Sequence, residues 1–217
     1  QRLDVGLDAD GGEILLDRLG DARVGVGVVG VEHGLEAIAQ PGPDAAERTD
    51  TRQFEEAPAA GRRMVVMTSD LFRAQQTAHA FADILGLPVT CDQRLRERSF
   101  GDWEGIPVEE LAQRYPEDYR SWAEFRGGEL KYGAEPKEEV GRRGVEALND
   151  WAFRAGSDTD LYVFSHGAWI SQTLQTLLGL SEVHGDFADI LSMRNAHWVR
   201  LAPLELQGAL RWRLVDY

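Results

Sequence analysis

At 217 residues, with 43% apolar and 28% charged side chains, the chain can bury a full core and is expected to form a single domain over residues 1–217. A net charge of −14 argues against the basic surface that nucleic acid or an acidic membrane would need, so no nucleic-acid and no membrane partner is expected. The single Cys91 excludes an internal disulfide, and no apolar run approaches the roughly 20 residues of a bilayer span. The amino end, from Gln1 to Val5, lacks the basic and apolar regions of a signal peptide. A reducing, cytoplasmic location is the expectation. The absence of an initiator Met suggests a fragment or a processed product.

Residues 1–23 are acidic, Gly-rich and without clear period. Val24 to Val31 reads as a strand weakened by its glycines, and His33-Gly34 follows it. A Pro/Gly loop from Gln40 to Asp44 precedes a polar helix running to about Ala57. From Arg63 the pattern strengthens. Met64 to Met67 reads as a strand, and Ser69-Asp70 offers a helix cap. Leu71, Ala74, Ala78, Phe81, Ala82 and Leu85 then share one helix face, which Gly86 closes.

Pro88 to Cys91 makes a short strand, and Asp92 to Gly105 a charged, aromatic-bearing loop. Residues 107–126 suggest two short helices broken at Pro116, with Trp122 and Phe125 on one side. Pro136 opens a helix with Val140, Gly144, Ala147, Leu148 and Trp151 inward. Asp160 to Phe164 is a buried strand that stops at Ser165-His166-Gly167, where an apolar helix begins and runs to Gly179. Ser181 to Leu191 is a loop, and two alternating runs, His197 to Leu201 and Leu210 to Leu214, pair as late strands. The alternation predicts an α/β fold, a three-layer α/β/α sandwich with a mostly parallel sheet.

This order places His166 where a central strand meets a helix amino end, the position at which open α/β sheets bind ligands and favour anions. Arg73 stands in the first turn after another strand and offers a fork suited to phosphate or carboxylate oxygens. Glu97 follows a third strand end. A carboxyl desolvated there has its pKa raised, as a general acid near neutral pH requires. Taken alone, Arg73 reads as a surface arginine near an Asp cap and Glu97 as a solvated carboxylate, while His166 is the first candidate for a functional residue. His79, His184 and His197 read as structural or exposed, and the histidines show no metal-ligand spacing, so no metal and no cofactor are expected. Ser165 lacks a Gly-x-Ser-x-Gly elbow and reads as a strand-end residue.

Taken in order, these pieces resemble the histidine phosphatase superfamily, the phosphoglycerate-mutase-like proteins. The matching runs are Thr68-Ser69-Asp70-Leu71-Phe72-Arg73-Ala74-Gln75-Gln76-Thr77-Ala78 and Arg94-Leu95-Arg96-Glu97-Arg98-Ser99-Phe100-Gly101-Asp102-Trp103-Glu104-Gly105. Val163-Phe164-Ser165-His166-Gly167 and Arg194-Asn195-Ala196 complete them. They span about residues 63–217, while residues 1–62 match poorly. The resemblance implies a phosphohistidine mechanism without metal. Arg73 and His166 then bind phosphoryl oxygens together with Ser69 and Asn195, and Glu97 is the acid and general base.

The family's nucleophile lies in Leu-x-Arg-His-Gly-Glu/Gln-Thr. The nearest run here is Val31-Glu32-His33-Gly34-Leu35-Glu36, with Glu32 where the Arg belongs. Three readings stay open: His33 as a degenerate nucleophile, a catalytically impaired phosphate-binding protein, or an amino end that is not the native coding frame. The short interval from Glu97 to His166 leaves a modest cap at about 106–135, which favours a phosphatase of a small phosphorylated metabolite over a phosphoglycerate mutase. Cap residues Arg114, Arg120, Arg126 and Lys131 read as solvated surface charge rather than substrate contacts. Nothing in the sequence selects an oligomeric state, and a homodimer is left open.

Overall fold

A computed structural model of the chain describes residues 24–27, 62–157, 159–183, 191, 193, 197–206 and 209–216. The expected helix after Asp44, His33, His184 and the run Arg194-Asn195-Ala196 lie outside the described residues.

Six strands form one sheet: β1 (Val24–Gly27), β2 (Arg63–Thr68), β3 (Val89–Cys91), β4 (Thr159–Phe164), β5 (Trp198–Leu206) and β6 (Ala209–Asp216). Their order is β3-β2-β4-β1-β5-β6, with the first four parallel and the last two added antiparallel. β4 is buried along its whole length, as a strand covered on both faces must be. Its register against β2, Thr68 opposite Phe164, brings the carboxyl ends of the two strands level.

Side-chain alternation sends Val66, Tyr162 and Phe164 to one face, where Ala78, Phe81 and Ala82 of helix α1 (Phe72–Leu85) cover them. Met67, Leu161 and Val163 face the other way, onto α4 (Lys137–Ala155) and α5 (Gly167–Leu178). Helices on both faces make the three expected layers. α4 and α5 pack closely because Gly141 and Gly144 lack side chains. A Cβ at Gly144 would meet Thr173 Oγ1 at 1.9 Å, and one at Gly141 would meet Thr176 Oγ1 at 2.0 Å.

Between β3 and α4 lie α2 (Val108–Arg114) and α3 (Pro116–Ala123), broken at Pro116 as expected; a one-turn helix, α6 (Leu180–Val183), follows α5. Trp103 is fully buried among Tyr115, Trp122 and Tyr132, with ring centroids 5.1–6.2 Å away. This cluster joins the cap to the loop after β3. Beneath it, Arg98 and Glu129 form a buried ion pair at 2.7 Å.

Three local expectations differ. Leu85 is 48% exposed, at the last position of α1 before Gly86 turns the chain in the left-handed conformation. Phe125 does not share an inner side with Trp122: it is 67% exposed, in a left-handed backbone with φ +58° just past α3. The Ser69-Asp70 side chains do not cap α1 in the usual way, since Leu71 holds the cap position without a side-chain bond. The Asp70 carboxylate is held instead by the Arg96 fork at 2.6 and 2.5 Å, a charge-assisted pair stronger than a neutral cap bond.

Candidate functional site

Two strand-to-helix turns, β2 to α1 and β4 to α5, lie side by side at the carboxyl edge of the sheet, joined by the bond from Ser69 N–H to the Phe164 carbonyl at 3.0 Å. His166 ends β4 with extended backbone (φ −125°, ψ 162°), and its carbonyl accepts the first bond of α5, from Ile170 N–H. It is 1% exposed, and neither ring nitrogen has a hydrogen-bond partner among the described residues. Burial, with the charges of Arg73 and Arg143, pushes the His166 pKa down to about 3, so the imidazole is neutral at ordinary pH.

Arg73 stands in the first turn of α1, half-buried, with Nε buried and without a hydrogen-bond partner among the described residues. Burial lowers its pKa, while the carboxylates of Glu97 and Glu104 pull it back up. A guanidinium stays charged under such shifts. A cationic fork, a neutral imidazole and unpaired polar atoms at one strand edge offer donors that an anion could satisfy, because buried polar groups are ordinarily paired.

Glu97 is carried by the loop after β3. Its Oε1 accepts from Arg98 N–H at 2.8 Å and Trp169 N–H at 3.0 Å, and its Oε2 from Ala168 N–H at 3.2 Å. The amino end of α5 is thus occupied by a protein carboxylate, where the format alone suggested a ligand anion. Burial raises the Glu97 pKa, and the three amides and Arg73 oppose that rise. The net shift is upward. Oε2, with one long contact, is the oxygen free to carry a proton.

Ser69 is fully buried, its Oγ accepting from Leu71 N–H at 3.3 Å. Arg73, Glu97, Ser69 and His166 therefore converge, whereas His33 and Asn195 lie outside the described residues. His79 is exposed beside Asp83, and His197 is exposed just ahead of β5. In the cap, Arg114 pairs with Glu110, Arg126 with Glu124 and Lys131 with Asp118. Among the described residues no cluster of His, Cys, Asp and Glu could hold a metal, and no helix is long and apolar enough to cross a membrane.

Sequence reasoning missed the supports of the Glu97 loop. Ser165 Oγ donates to the Leu95 carbonyl and Trp169 Nε1 to the Arg94 carbonyl, each at 2.7 Å. Arg143 of α4 reaches the same loop. Its neighbour Arg142 is an exposed partner of Glu139 and Glu146, and the Arg-Arg doublet carries no signal that separates the two.

The histidine phosphatase superfamily (branch 1) profile matches residues 44–212. The chain belongs to this superfamily. A glucosyl-3-phosphoglycerate phosphatase from Mycolicibacterium vanbaalenii is 33% identical over 165 residues, 70% of this chain and 72% of the relative. Its counterpart in Mycobacterium tuberculosis is 28% identical over 194 residues, 83% and 86% of the two chains. A protein named as a probable phosphoglycerate mutase GpmB, from Yersinia enterocolitica, is 40% identical but over 120 residues, 53% of each chain. Among solved structures, a mycobacterial glucosyl-3-phosphoglycerate phosphatase in complex with VO3 superposes with a TM-score of 0.72 at 22% identity, over 90% of this chain and 98% of that one. The likeness confirms the α/β fold. Family membership and these relatives make the chain an enzyme of the phosphatase class.

Proposed function

We propose that this chain hydrolyses the monoester of a small phosphorylated metabolite through a phosphohistidine, in the cytoplasm and without a metal. The supporting observation is the convergence of the unpaired Arg73 Nε and both unpaired His166 nitrogens beside a Glu97 carboxyl with a raised pKa. Phosphoryl transfer requires charge neutralisation and in-line placement above all, and one guanidinium with imidazole donors supplies both.

In the first step a histidine nitrogen attacks phosphorus, the bond to the ester oxygen breaks, and Glu97 gives its proton to that oxygen. In the second, water attacks the phosphohistidine, Glu97 takes the water proton, and phosphate leaves as the P–N bond breaks. His33 is the assigned nucleophile, since it follows the first strand in a His-Gly pair. His166, Arg73, Ser69 and Asn195 hold the phosphoryl group. The mycobacterial relatives make a glycosylated phosphoglycerate the first substrate to try.

The test is hydrolysis of an aryl phosphate and of a phosphoglycerate panel in the presence of a chelator. Turnover is expected, lost in His166→Ala, with an acid-labile phosphoryl label mapping to His33. Turnover that survives His166→Ala removes its assigned role, and label on another residue reassigns the nucleophile. The 40% match over half of a named mutase keeps a second reading, transfer between positions of a phosphoglycerate. That reading predicts stimulation by a bisphosphorylated primer.

A further inference from the structure

The loop that carries Glu97 is irregular, and an irregular loop places a carboxyl reliably only if its backbone is held. Three of its carbonyls, those of Arg94, Arg96 and Glu97, converge on the Arg143 guanidinium. Nη1 donates to Arg94 O and Arg96 O, both at 2.7 Å, and Nη2 to Glu97 O at 3.2 Å. The two remaining donations go to Glu135, from Nε to Oε1 at 2.7 Å and from Nη2 to Oε2 at 3.0 Å. Every N–H that a guanidinium owns is used.

Arg143 is largely buried, its side chain 14% exposed, on the rigid helix that packs against α5 across Gly141 and Gly144. Glu135, its counter-ion, lies at the end of the cap segment. The guanidinium thus links the acid loop to two elements that hold no reacting group. A lysine in its place would offer three donors on one point and could not span three carbonyls and a carboxylate.

Resting on the phosphatase reading above, we propose that Arg143 is the positioning residue for the general acid: its five hydrogen bonds set where the Glu97 carboxyl meets the leaving oxygen. It touches no substrate itself. Protonation of the leaving group matters for an alkyl ester and far less for an aryl ester whose phenolate departs unaided, so loss of position has a kinetic signature that general damage lacks.

The experiment compares glycerol phosphate with p-nitrophenyl phosphate in the full chain, as wild type, Glu97→Gln, Arg143→Lys and Glu135→Gln, with thermal unfolding checked for each. Removing a general acid costs about 100-fold, so Glu97→Gln is expected to lose about that on the alkyl ester and under about tenfold on the aryl ester. Arg143→Lys is expected to lose about tenfold more kcat on the alkyl ester than on the aryl ester, with KM little changed. Equal losses on both esters, or none, in Arg143→Lys beside a selective Glu97→Gln overturn the inference alone. A Glu97→Gln that is itself unselective removes the acid assignment and the inference with it. Should Arg143→Lys not fold, Glu135→Gln decides on the same criterion, with a smaller selective loss expected.

Discussion

The turns after β2 and β4 share one format, a parallel strand running into a helix at the same sheet edge, yet their amino-terminal amides are satisfied by different means. At α1 the support is local, the N–H of the cap residue Leu71 donating to Ser69 Oγ, while Asp70 is turned aside to Arg96. At α5 the two amides of Ala168 and Trp169 are taken by Glu97, a residue far away in sequence. The first turn thus draws its hydroxyl bond from within itself and presents its cation, Arg73. The second is completed only by the loop after β3, so the α5 amino end and the Glu97 carboxyl hold each other in place. Helix ends leave their first amides without internal partners, and whichever group fills them is bound to the stability of that helix.

The largest effects test whether the two turns act as one receptor. His166→Ala and Arg73→Ala should each lower turnover by about a hundredfold or more, given what a single oxyanion donor contributes. Both should also weaken binding of inorganic phosphate or vanadate, measured by protection against thermal unfolding. If Arg73→Ala leaves that protection intact, the β2 turn does not belong to the anion site. Next in size is the difference in capping. Glu97→Ala removes two α5 amide partners and one in its own loop and should cost about 2 kcal/mol in chemical denaturation, whereas Ser69→Ala, losing one long bond, should cost about 0.5 kcal/mol. Equal costs would erase the distinction between a local and a borrowed cap.

A third test separates the turns by pH. His166 is held near a pKa of about 3 in the fold and titrates near 6.5 when exposed, so the unfolded chain binds the extra proton between those values. Stability present above about pH 6.5 is lost as the pH falls toward about 3. Glu97, with its pKa raised, works in the opposite direction, its contribution falling as pH rises through its titration. His166→Gln should therefore flatten the decline in thermal midpoint between about pH 6.5 and pH 4.5, where histidine titrates and most carboxyls do not. An unchanged slope would show that the ring is not held neutral.

Much of this frame was legible because its signals are local. Buried β4, the Gly86 and Gly179 stops, the break at Pro116 and the inner face of α4 each follow from the spacing of a few neighbours. The places of His166, Arg73 and Glu97 followed from format, since a parallel α/β sheet gathers its strand ends at one edge. What escaped is tertiary. The Arg142-Arg143 pair gives no sign that one guanidinium points to solvent and the other gathers three loop carbonyls. That choice depends on which side of α4 meets the loop after β3 in the folded chain. Nor does Asp70 reveal that an arginine from another loop will draw it away from the helix it could cap. Leu85 reads inward by period but is 48% exposed, at the last position of α1, where the helix periodicity no longer decides burial.

The smallest expected effect bears on Asp70 and sharpens the comparison most. Its carboxylate is held by Arg96 in a two-bond fork, and the hydrogen bond and charge of Arg96 lower its pKa. Arg96 is half exposed, and a pair so open to water adds little to stability; Asp70→Asn should move the thermal midpoint by about 2 °C or less. Its consequence lies in the site. Among the described residues, the charge of Asp70 favours protonation of His166, against Arg73 and Arg143. Neutralising it removes that contribution and leaves Arg96 without its carboxylate partner. Inorganic phosphate should then bind more tightly to Asp70→Asn, by about twofold to fivefold, with the gain shrinking as salt rises. Weaker binding would mean that the fork holds the Glu97 loop in place, and that the β2 turn, like the β4 turn, depends on a distant residue for its form.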